Sequence, residues 1–164
     1  MVMSSIESST LIQAPSNIVW SWLTAFEEYN QWHPYLTAIE GFPQVGALLH
    51  LVWKEKALIP SSAEARLIRY REQESLAWEE HLALGGIIAA RRNFELTSIS
   101  SDQTLLQYRT TFIGPLIHFF KDYLDPTSRE AGEHICRGIK KTAESEWSEL
   151  QACFVFDECA EIAA

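Results

Sequence analysis

The stretch SLAWEEHLALGGIIAARRNFELTS, residues 75–98, gives the clearest indication of the fold. Alternate positions from Leu76 to Leu82 are apolar, with Glu80 as the exception, and alternate residues of a β-strand share one face. Gly85-Gly86 then predicts a tight turn, after which the alternation resumes. The stretch therefore predicts two antiparallel strands, Ser75–Ala83 and Ala89–Ser98.

The same pattern extends on both sides of this stretch. Further strands are predicted at Ile6–Gln13, Leu36–Glu40, Ala47–Lys56, Ala63–Arg71 and Thr104–Ile113. From Leu36 onward the connections are short and none has helical spacing. Parallel strands need long crossover connections, so this arrangement predicts an antiparallel sheet of seven strands.

Helical spacing occurs at two places. Asn17–Phe26 has apolar residues four apart and follows Pro15, which favours a helix start. A second short helix must stop by His33, because a residue before proline is pushed out of the α region. Leu116–Leu124 is also helical in pattern. Asp125-Pro126 predicts a break there, and a long amphipathic helix is expected from Ser128.

Composition excludes several classes of function. The net charge of −9 argues against nucleic-acid binding, which needs clustered lysine and arginine. Neither the three cysteines nor the histidines have metal-ligand spacing, so we expect no metal and no other cofactor. No secretory signal is visible, and the longest apolar run, Leu82–Ala90, is too short for a membrane span. We expect a cytoplasmic protein without stable membrane insertion.

The order of the elements resembles the helix-grip fold of the START and birch-pollen-allergen-like superfamily (SRPBCC). The resemblance rests on Ala14-Pro15-Ser16 at the first helix and on the long terminal helix after the seventh strand. It rests also on four residues of the second short helix and its exit: Phe26, Tyr29, Trp32 and Pro34.

The resemblance implies an α+β fold in which a curved sheet wraps around the long helix and leaves a cavity between them. It implies one START-like domain over residues 1–156, followed by a C-terminal tail over 157–164. Members of the superfamily bind lipids, sterols, hormones or polyketides, and some are polyketide cyclases or dehydratases. No catalytic set is shared across the superfamily, so none is carried over.

Glu80 is the most informative candidate residue, since its strand's apolar face predicts that it points inward. A buried carboxylate is costly unless it is paired, and it would serve as a general acid or base or as an anchor for a ligand hydroxyl. The alternative is a register slip that exposes Glu80 to solvent. Arg92 either reaches Glu80 or a ligand acid, or lies solvated at a rim.

Other candidates follow from the same alternation. Tyr108 would offer a hydroxyl to a ligand or would be a core tyrosine bonded to the backbone. The predicted ligand-binding residues are Trp53, Trp78, Glu80, Phe94, Tyr108, Phe112 and His118. The candidate catalytic residues are Glu80, His118 and His33. Glu80 is included as a possible general acid or base, and the two histidines because histidine suits proton transfer near neutral pH.

Three functions remain open. The leading hypothesis is binding, and possible transport, of a small hydrophobic ligand such as a lipid or polyketide, without catalysis. The second is a polyketide cyclase or dehydratase that uses acid and base groups in the cavity. The third is a protein-interaction domain with a vestigial cavity. Gly85-Gly86 and Leu58-Ile59-Pro60 either form a flexible gate over the pocket or are plain turns.

Overall fold

The computed structural model describes residues 3–54, 62–82 and 88–162. These residues form one antiparallel sheet, three α-helices and a 3-10 helix. In chain order the elements are β1 (Met3–Ile12), α1 (Ser16–Thr24), a 3-10 helix (Phe26–Glu28), α2 (Tyr29–Trp32), β2 (Leu36–Glu40), β3 (Leu48–Trp53), β4 (Ser62–Arg71), β5 (Ser75–Leu82), β6 (Ile88–Ser100), β7 (Gln103–Ile113) and α3 (Ile117–Ile162). The predicted α+β class and element order are confirmed.

The sheet has seven strands in the order β1-β7-β6-β5-β4-β3-β2. All consecutive strands from β2 to β7 pair as an antiparallel meander, and β1 joins β7 along its whole length from Met3 to Ile12. Register shifts occur in the β2–β3, β4–β5 and β6–β7 pairs. Such irregularities increase local twist and bending, which suits a sheet that curves around a helix.

The short helices between β1 and β2 form as predicted. In α1, the side chains of Val19, Trp20 and Leu23 are buried. The residue after α2, His33, has extended backbone angles of φ −80° and ψ 125°. Pro34 imposes this conformation on the residue before it, so α2 ends at Trp32 and the chain turns into β2.

The predicted helix break at Asp125-Pro126 is wrong, because α3 is continuous from Ile117 to Ile162 with Pro126 inside it. Proline removes one backbone N–H donor, which leaves the carbonyl of Asp122 without its intrahelical partner. Asp122 and Pro126 are both exposed, so water can bond that carbonyl. The proline therefore does not end the helix.

Most of the buried residues belong to one hydrophobic cluster between the concave face of the sheet and α3. From α3, Ile135, Ile139 and Ala143 enter this cluster, as their helical spacing predicts. A smaller cluster at one end of the sheet consists of Ile6, Ile88, Ala90, Phe112 and Ile117.

Two predicted features, the Gly85-Gly86 turn and the Leu58-Ile59-Pro60 gate, lie outside the described residues. The division into a domain over 1–156 and a tail over 157–164 stays a prediction. Of the helices described, none is both long and apolar enough to cross a membrane.

Candidate functional site

Glu80 lies at the junction of the two hydrophobic clusters and is fully buried. The alternation on β5 puts it on the concave face, as predicted. Its cross-strand neighbours are both alanines, Ala65 on β4 and Ala90 on β6. Ala65 belongs to the large cluster and Ala90 to the small one. Because both neighbours are small, little side-chain volume surrounds the carboxylate within the sheet.

Arg92 on β6 bonds Glu80 in an unusual orientation. Its Nε donates to Oε1 of Glu80 at 2.8 Å, and its Nη2 reaches the same oxygen at 2.6 Å. A common arginine–carboxylate pair uses both carboxylate oxygens in parallel bonds. Here both nitrogens approach Oε1, one through a hydrogen bond and one as an ion-pair contact, and Oε2 has no hydrogen-bond partner among the described residues.

The expectation that Arg92 is solvated at a rim is wrong. Only 16% of its side chain is exposed, and the guanidinium also lies 5.4 Å from the ring centroid of Trp53. Burial alone would lower the pKa of Arg92, but the Glu80 carboxylate and the Tyr108 hydroxyl outweigh it and raise that pKa above its ordinary value. Arg92 therefore stays charged and balances the charge of Glu80.

Tyr108 and Thr110 on β7 extend the network. Arg92 Nη1 donates to the Tyr108 hydroxyl at 2.9 Å, and the Thr110 hydroxyl donates to the same oxygen at 3.0 Å. All three side chains lie on the concave face, since Arg92 is paired with Thr110 in the β6–β7 register. Tyr108 thus bonds side chains, rather than the backbone partner expected of a core tyrosine.

An identical pair of residue types on the convex face gives an internal comparison. Glu79 and Arg91 are the chain neighbours of Glu80 and Arg92, and they also form an ion pair, at 2.8 Å. Their side chains are 25% and 48% exposed. The Glu79–Arg91 pair therefore lies at the surface, where ion pairs contribute little to stability, whereas the Glu80–Arg92 pair lies in the core.

Aromatic rings surround the network. Trp78 and Phe94 lie with ring centroids 5.5 Å apart, and Phe94 and Tyr108 are 4.8 Å apart. Trp53 is half-buried under Arg92, and Phe112 is buried in the small cluster. The predicted wall residues Trp53, Trp78, Phe94 and Phe112 therefore all contribute to the packed interior.

Buried polar atoms without partners concentrate in this interior. Within the described residues four of the five such atoms are Trp32 Nε1, His33 Nε2, Trp78 Nε1 and Glu80 Oε2, while the fifth, Asn93 Oδ1, lies on the opposite face of β6 from Arg92 and Phe94. A native core leaves very few such atoms, because each unpaired buried group costs about 1–3 kcal/mol. Three donors and one acceptor of this set belong to α2, its exit and β5. Such atoms indicate a place where water or a ligand supplies the missing bonds.

His33 is buried, and its orientation is fixed from both sides. Its Nδ1 accepts backbone N–H bonds from Tyr35 at 3.1 Å and from Leu36 at 2.8 Å. Its carbonyl accepts a bond from Lys54 Nζ at 2.8 Å. Because Nδ1 is an acceptor, the proton of the neutral ring is on Nε2, which has no partner among the described residues.

Burial, and then the positive charges of Arg92 and Lys54, hold the pKa of His33 well below its ordinary value. His33 is therefore a neutral donor through Nε2 at physiological pH. The charge of Arg92 therefore helps to keep the His33 ring neutral.

His118 is the predicted site residue that the structure does not bring to this group. It lies on the first turn of α3 with its side chain exposed, next to buried Ile117. The network also contains Thr110, which was not among the candidates. Its place on the inward face of β7, two residues from Tyr108, was visible in the sequence, but its bond to the Tyr108 hydroxyl depends on the rotamers of the two side chains.

The described residues contain no group of three histidine, cysteine, aspartate or glutamate side chains placed to hold a metal ion.

No protein-family model matches the sequence, and no curated protein matches it. Solved structures do match. A point mutant of norcoclaurine synthase from Thalictrum flavum, in complex with a transition-state analogue, has 12% identity and a TM-score of 0.65 over 88% of this chain and 96% of its own. The ZhuI aromatase/cyclase from Streptomyces sp. R1128 has 17% identity and a TM-score of 0.63 over 87% and 94%. Ara h 8.0201 has 13% identity and a TM-score of 0.62 over 88% and 99%.

Proposed function

We propose that the protein binds a small, largely apolar molecule between its sheet and α3. The proposal starts from the fold of this chain, which is the helix-grip fold of the START and birch-pollen-allergen-like superfamily. The observation that carries the proposal is the unpaired Oε2 of the buried Glu80, set among aromatic side chains. Ligand sites combine apolar walls with a few fixed polar groups, and this interior has both.

The energetics favour a ligand over a purely structural role for the buried pair. A buried ion pair is weak evidence for stability, because desolvation often outweighs the attraction. A core that only had to be stable would be served as well by apolar side chains at positions 80 and 92. Burial of apolar ligand surface would add stabilisation of about 25 cal/mol per Å².

Ligand binding is tested by native mass spectrometry of the purified protein and by thermal shifts with a panel of bicyclic aromatics, sterols and fatty acids. A ligand that binds only the folded state raises the free energy of unfolding, by about 2.7 kcal/mol at a hundredfold excess over Kd. We expect at least one apolar class to raise the melting temperature. If neither a retained molecule nor any thermal shift is found, the proposal is wrong.

A Trp78→Leu variant removes an aromatic wall from the concave face, and Trp147→Leu is its matched control on the half-buried side of α3. We expect the Trp78 variant to lose the ligand-induced shift and the Trp147 variant to keep it. Equal loss in both variants would show that the effect comes from general destabilisation.

A second candidate function is acid–base catalysis on a bound carbonyl compound of the polyketide type. It is favoured by the presence of two unpaired proton-handling groups in one interior, His33 Nε2 and Glu80 Oε2. One group would donate to a developing oxyanion while the other accepted a proton from carbon. The similarity in fold to an aromatase/cyclase is consistent with this chemistry.

Catalysis is tested with a synthetic linear triketone, whose intramolecular aldol condensation releases one water and is followed by mass spectrometry. The wild-type protein should accelerate the condensation, and both Glu80→Gln and His33→Asn should slow it. The Glu79→Gln variant should retain the wild-type rate. A rate equal to that of the buffer would exclude this second function and leave ligand binding untouched.

A further inference from the structure

The first strand forms an edge of the sheet that has no neighbouring strand. The strand order β1-β7-β6-β5-β4-β3-β2 leaves β1 paired with β7 on one side only. β1 runs from Met3 to Ile12 without a register shift, and its sequence contains no proline, lysine or arginine. Proteins commonly protect an edge strand with a bulge, a proline or a lysine, because a regular edge accepts another strand. The edge of β1 has none of these three protections.

Side chains of α3 cover one end of this edge. Lys140 Nζ donates to the carbonyl oxygen of Leu11 at 2.6 Å, and the backbone N–H of Gln13 donates to Oε1 of Glu144 at 2.8 Å. The backbone groups of odd-numbered residues in β1 therefore point away from β7. In the segment Ser5–Ser9 no residue in the described part of the chain bonds these outward groups. We call the outward side of this segment the open edge.

A groove of about 470 Å³ lies between the open edge and α3. It is lined by Glu7–Thr10 of β1 and, on the helix, by Arg129, Glu133, Arg137 and Lys140. Pockets that hold ligands have volumes of about 300–1,000 Å³. The backbone groups of an edge repeat every second residue, which is a spacing that another extended chain matches. The groove therefore suits a peptide that adds a strand to the sheet.

The helix wall of the groove carries positive charge, although the whole chain has a net charge of −9. Arg129 and Arg137 are exposed, and neither forms an ion pair within the described residues. Glu133 lies between them along α3. On the strand side, Glu7 is already paired with Arg109 at 2.7 Å. A peptide in the groove therefore meets two positive charges with one negative charge between them.

The spacing of the two arginines sets a pattern for the peptide. Arg129 and Arg137 are eight positions apart, which is about 12 Å along a helix. Four positions of an extended chain cover about 13 Å. Two acidic side chains at this spacing share one face of a strand and reach both arginines. The side chain midway between them faces Glu133, where like charges would repel, so an acid is disfavoured there.

We propose that the open edge and α3 bind an extended acidic segment of another protein, which pairs antiparallel with β1 and carries two carboxylates four positions apart. Antiparallel pairing is expected because β1 already pairs in this way with β7. Peptide residues opposite Ser5, Glu7 and Ser9 direct their backbone groups to β1 and their side chains to the convex face. The carboxylates belong to the residues between, whose side chains face α3. This site lies outside the interior and is independent of any ligand there.

The probe is a fluorescein-labelled, amidated peptide, Thr-Val-Asp-Thr-Ser-Thr-Asp-Val-Thr, and binding is measured by fluorescence anisotropy. Its analogue has asparagine in place of both aspartates. We expect the acidic peptide to bind about 5- to 30-fold more tightly than the analogue, as for two exposed ion pairs. An increase of the salt concentration from about 50 mM to about 500 mM should remove most of this difference, because salt screens exposed charges.

A double variant, Arg129→Gln with Arg137→Gln, assigns the preference to the helix wall. We expect this variant to bind the acidic peptide and the asparagine analogue equally. The matched control is Arg69→Gln with Arg91→Gln, which removes the same charge from the convex face. The control should keep the wild-type preference.

Strand pairing is tested by methylation of peptide nitrogens. A methyl group on either threonine next to the serine blocks a backbone bond to β1, and we expect binding to weaken at least about tenfold. A methyl group on the serine nitrogen points away from β1 and should have little effect. Ser9→Pro removes an outward N–H of the open edge and should also weaken binding. Proline is tolerated on an edge strand where its nitrogen faces outward.

Four results would overturn the proposal. The first is absence of binding by the acidic peptide, and the second is equal binding of its asparagine analogue. Binding that tolerates methylation beside the serine would show charge attraction without strand pairing. A dimer of the protein alone, seen by sedimentation and dissociated by Ser9→Pro, would show that a second copy occupies the edge. The peptide series uses the wild-type protein, so it decides the matter even if Ser9→Pro does not fold.

Discussion

At the scale of single residues, the sequence predicted that Glu80 faces inward but not how its oxygens are used. Alternation on β5 depends only on the period of a strand, so it placed Glu80 correctly beside Trp78. The approach of two Arg92 nitrogens to one oxygen depends on the β5–β6 register and on the rotamers of both side chains. Neither can be obtained from a single strand's pattern.

His33 shows the same limit. Pro34 explains the backbone at His33, but the sequence did not indicate that the imidazole is buried or that Nδ1 accepts two backbone bonds. Those bonds arise because the turn after α2 folds back over the ring. The side chain at first considered for catalysis therefore also has a structural role in the entry to β2.

Burial of His33 predicts that stability depends on pH. Since the pKa of His33 is lowered in the folded state, the folded ring stays neutral while the unfolded ring takes a proton below about pH 6.5. The unfolded state then binds more protons, so the free energy of unfolding falls as pH falls, by up to about 1.4 kcal/mol per unit. Urea denaturation between about pH 7.5 and about pH 5.5 measures this.

A His33→Asn variant supplies the control, because the asparagine oxygen can replace Nδ1 as an acceptor and does not titrate. We expect its free energy of unfolding to depend less steeply on pH than that of the wild type below about pH 6.5. The exposed His118→Asn variant should behave as the wild type does. Parallel curves for the wild type and His33→Asn would contradict the assignment.

At the scale of elements, α3 packs closely against α2 through Gly138. A Cβ at this position would collide with the backbone carbonyl oxygen of Trp32 and lie 4.0 Å from Cδ of Pro34. Glycine in a helix is about 1 kcal/mol less favourable than alanine. At position 138 it is nevertheless needed, because only a residue without a Cβ lets α3 approach the end of α2 this closely. The contact fixes α3 against the segment that carries the unpaired donors of Trp32 and His33.

We predict that Gly138→Ala destabilises the protein by about 1–3 kcal/mol despite alanine's better helix propensity, because a backbone oxygen cannot rotate away. Chemical denaturation monitored by circular dichroism measures the change. The displaced helix should also weaken ligand binding.

The matched comparison is Gly132→Ala in a Ser8→Ala background. A Cβ at Gly132 would lie nearest the Ser8 hydroxyl oxygen, at 2.5 Å, and the second substitution removes that oxygen. This pair should cost less stability than Gly138→Ala. An equal or smaller cost for Gly138→Ala would mean that α2 can shift without loss, and the proposed fixing of α2 would be wrong.

At the scale of the whole molecule, one hydrophobic cluster joins all parts of the fold. It contains Ile12 of β1, Val19 of α1, Tyr29 of α2 and Ile139 of α3, together with residues of every other strand. The first strand also pairs with the last one, so strands about 100 residues apart in the sequence are neighbours in a single sheet. Such long-range pairing makes the elements depend on one another for stability.

We therefore predict cooperative unfolding, in which tryptophan fluorescence and far-UV circular dichroism give the same transition. A Leu106→Ala substitution in the centre of the cluster should lower both midpoints together, with a loss of about 2–5 kcal/mol. Gln107→Ala, at the exposed next position, should change stability by no more than about 0.5 kcal/mol. Separate transitions for the two signals would show that α3 or the sheet unfolds independently.

Patterns in the sequence were enough to predict the fold class, the order of the elements, most strand limits and the inward face of β5, β6 and β7. These follow from local causes: the period of apolar residues, proline geometry and turn residues. The continuity of α3 through Pro126 was missed because solvent exposure, which lets water replace the lost bond, is not a local property of the sequence.

The arrangement of the site, by contrast, depends on how distant segments pack together. The ion pair between Glu80 and Arg92 joins two strands, its extension to Tyr108 and Thr110 joins a third, and His33 comes from the exit of α2. The unpaired Oε2 exists because Arg92 approaches from one side while Ala65 and Ala90 flank the carboxylate. A hydrogen bond forms only when the donor–acceptor distance is correct to within a few tenths of an ångström. Between segments far apart in the chain, that distance is set by packing rather than by sequence spacing.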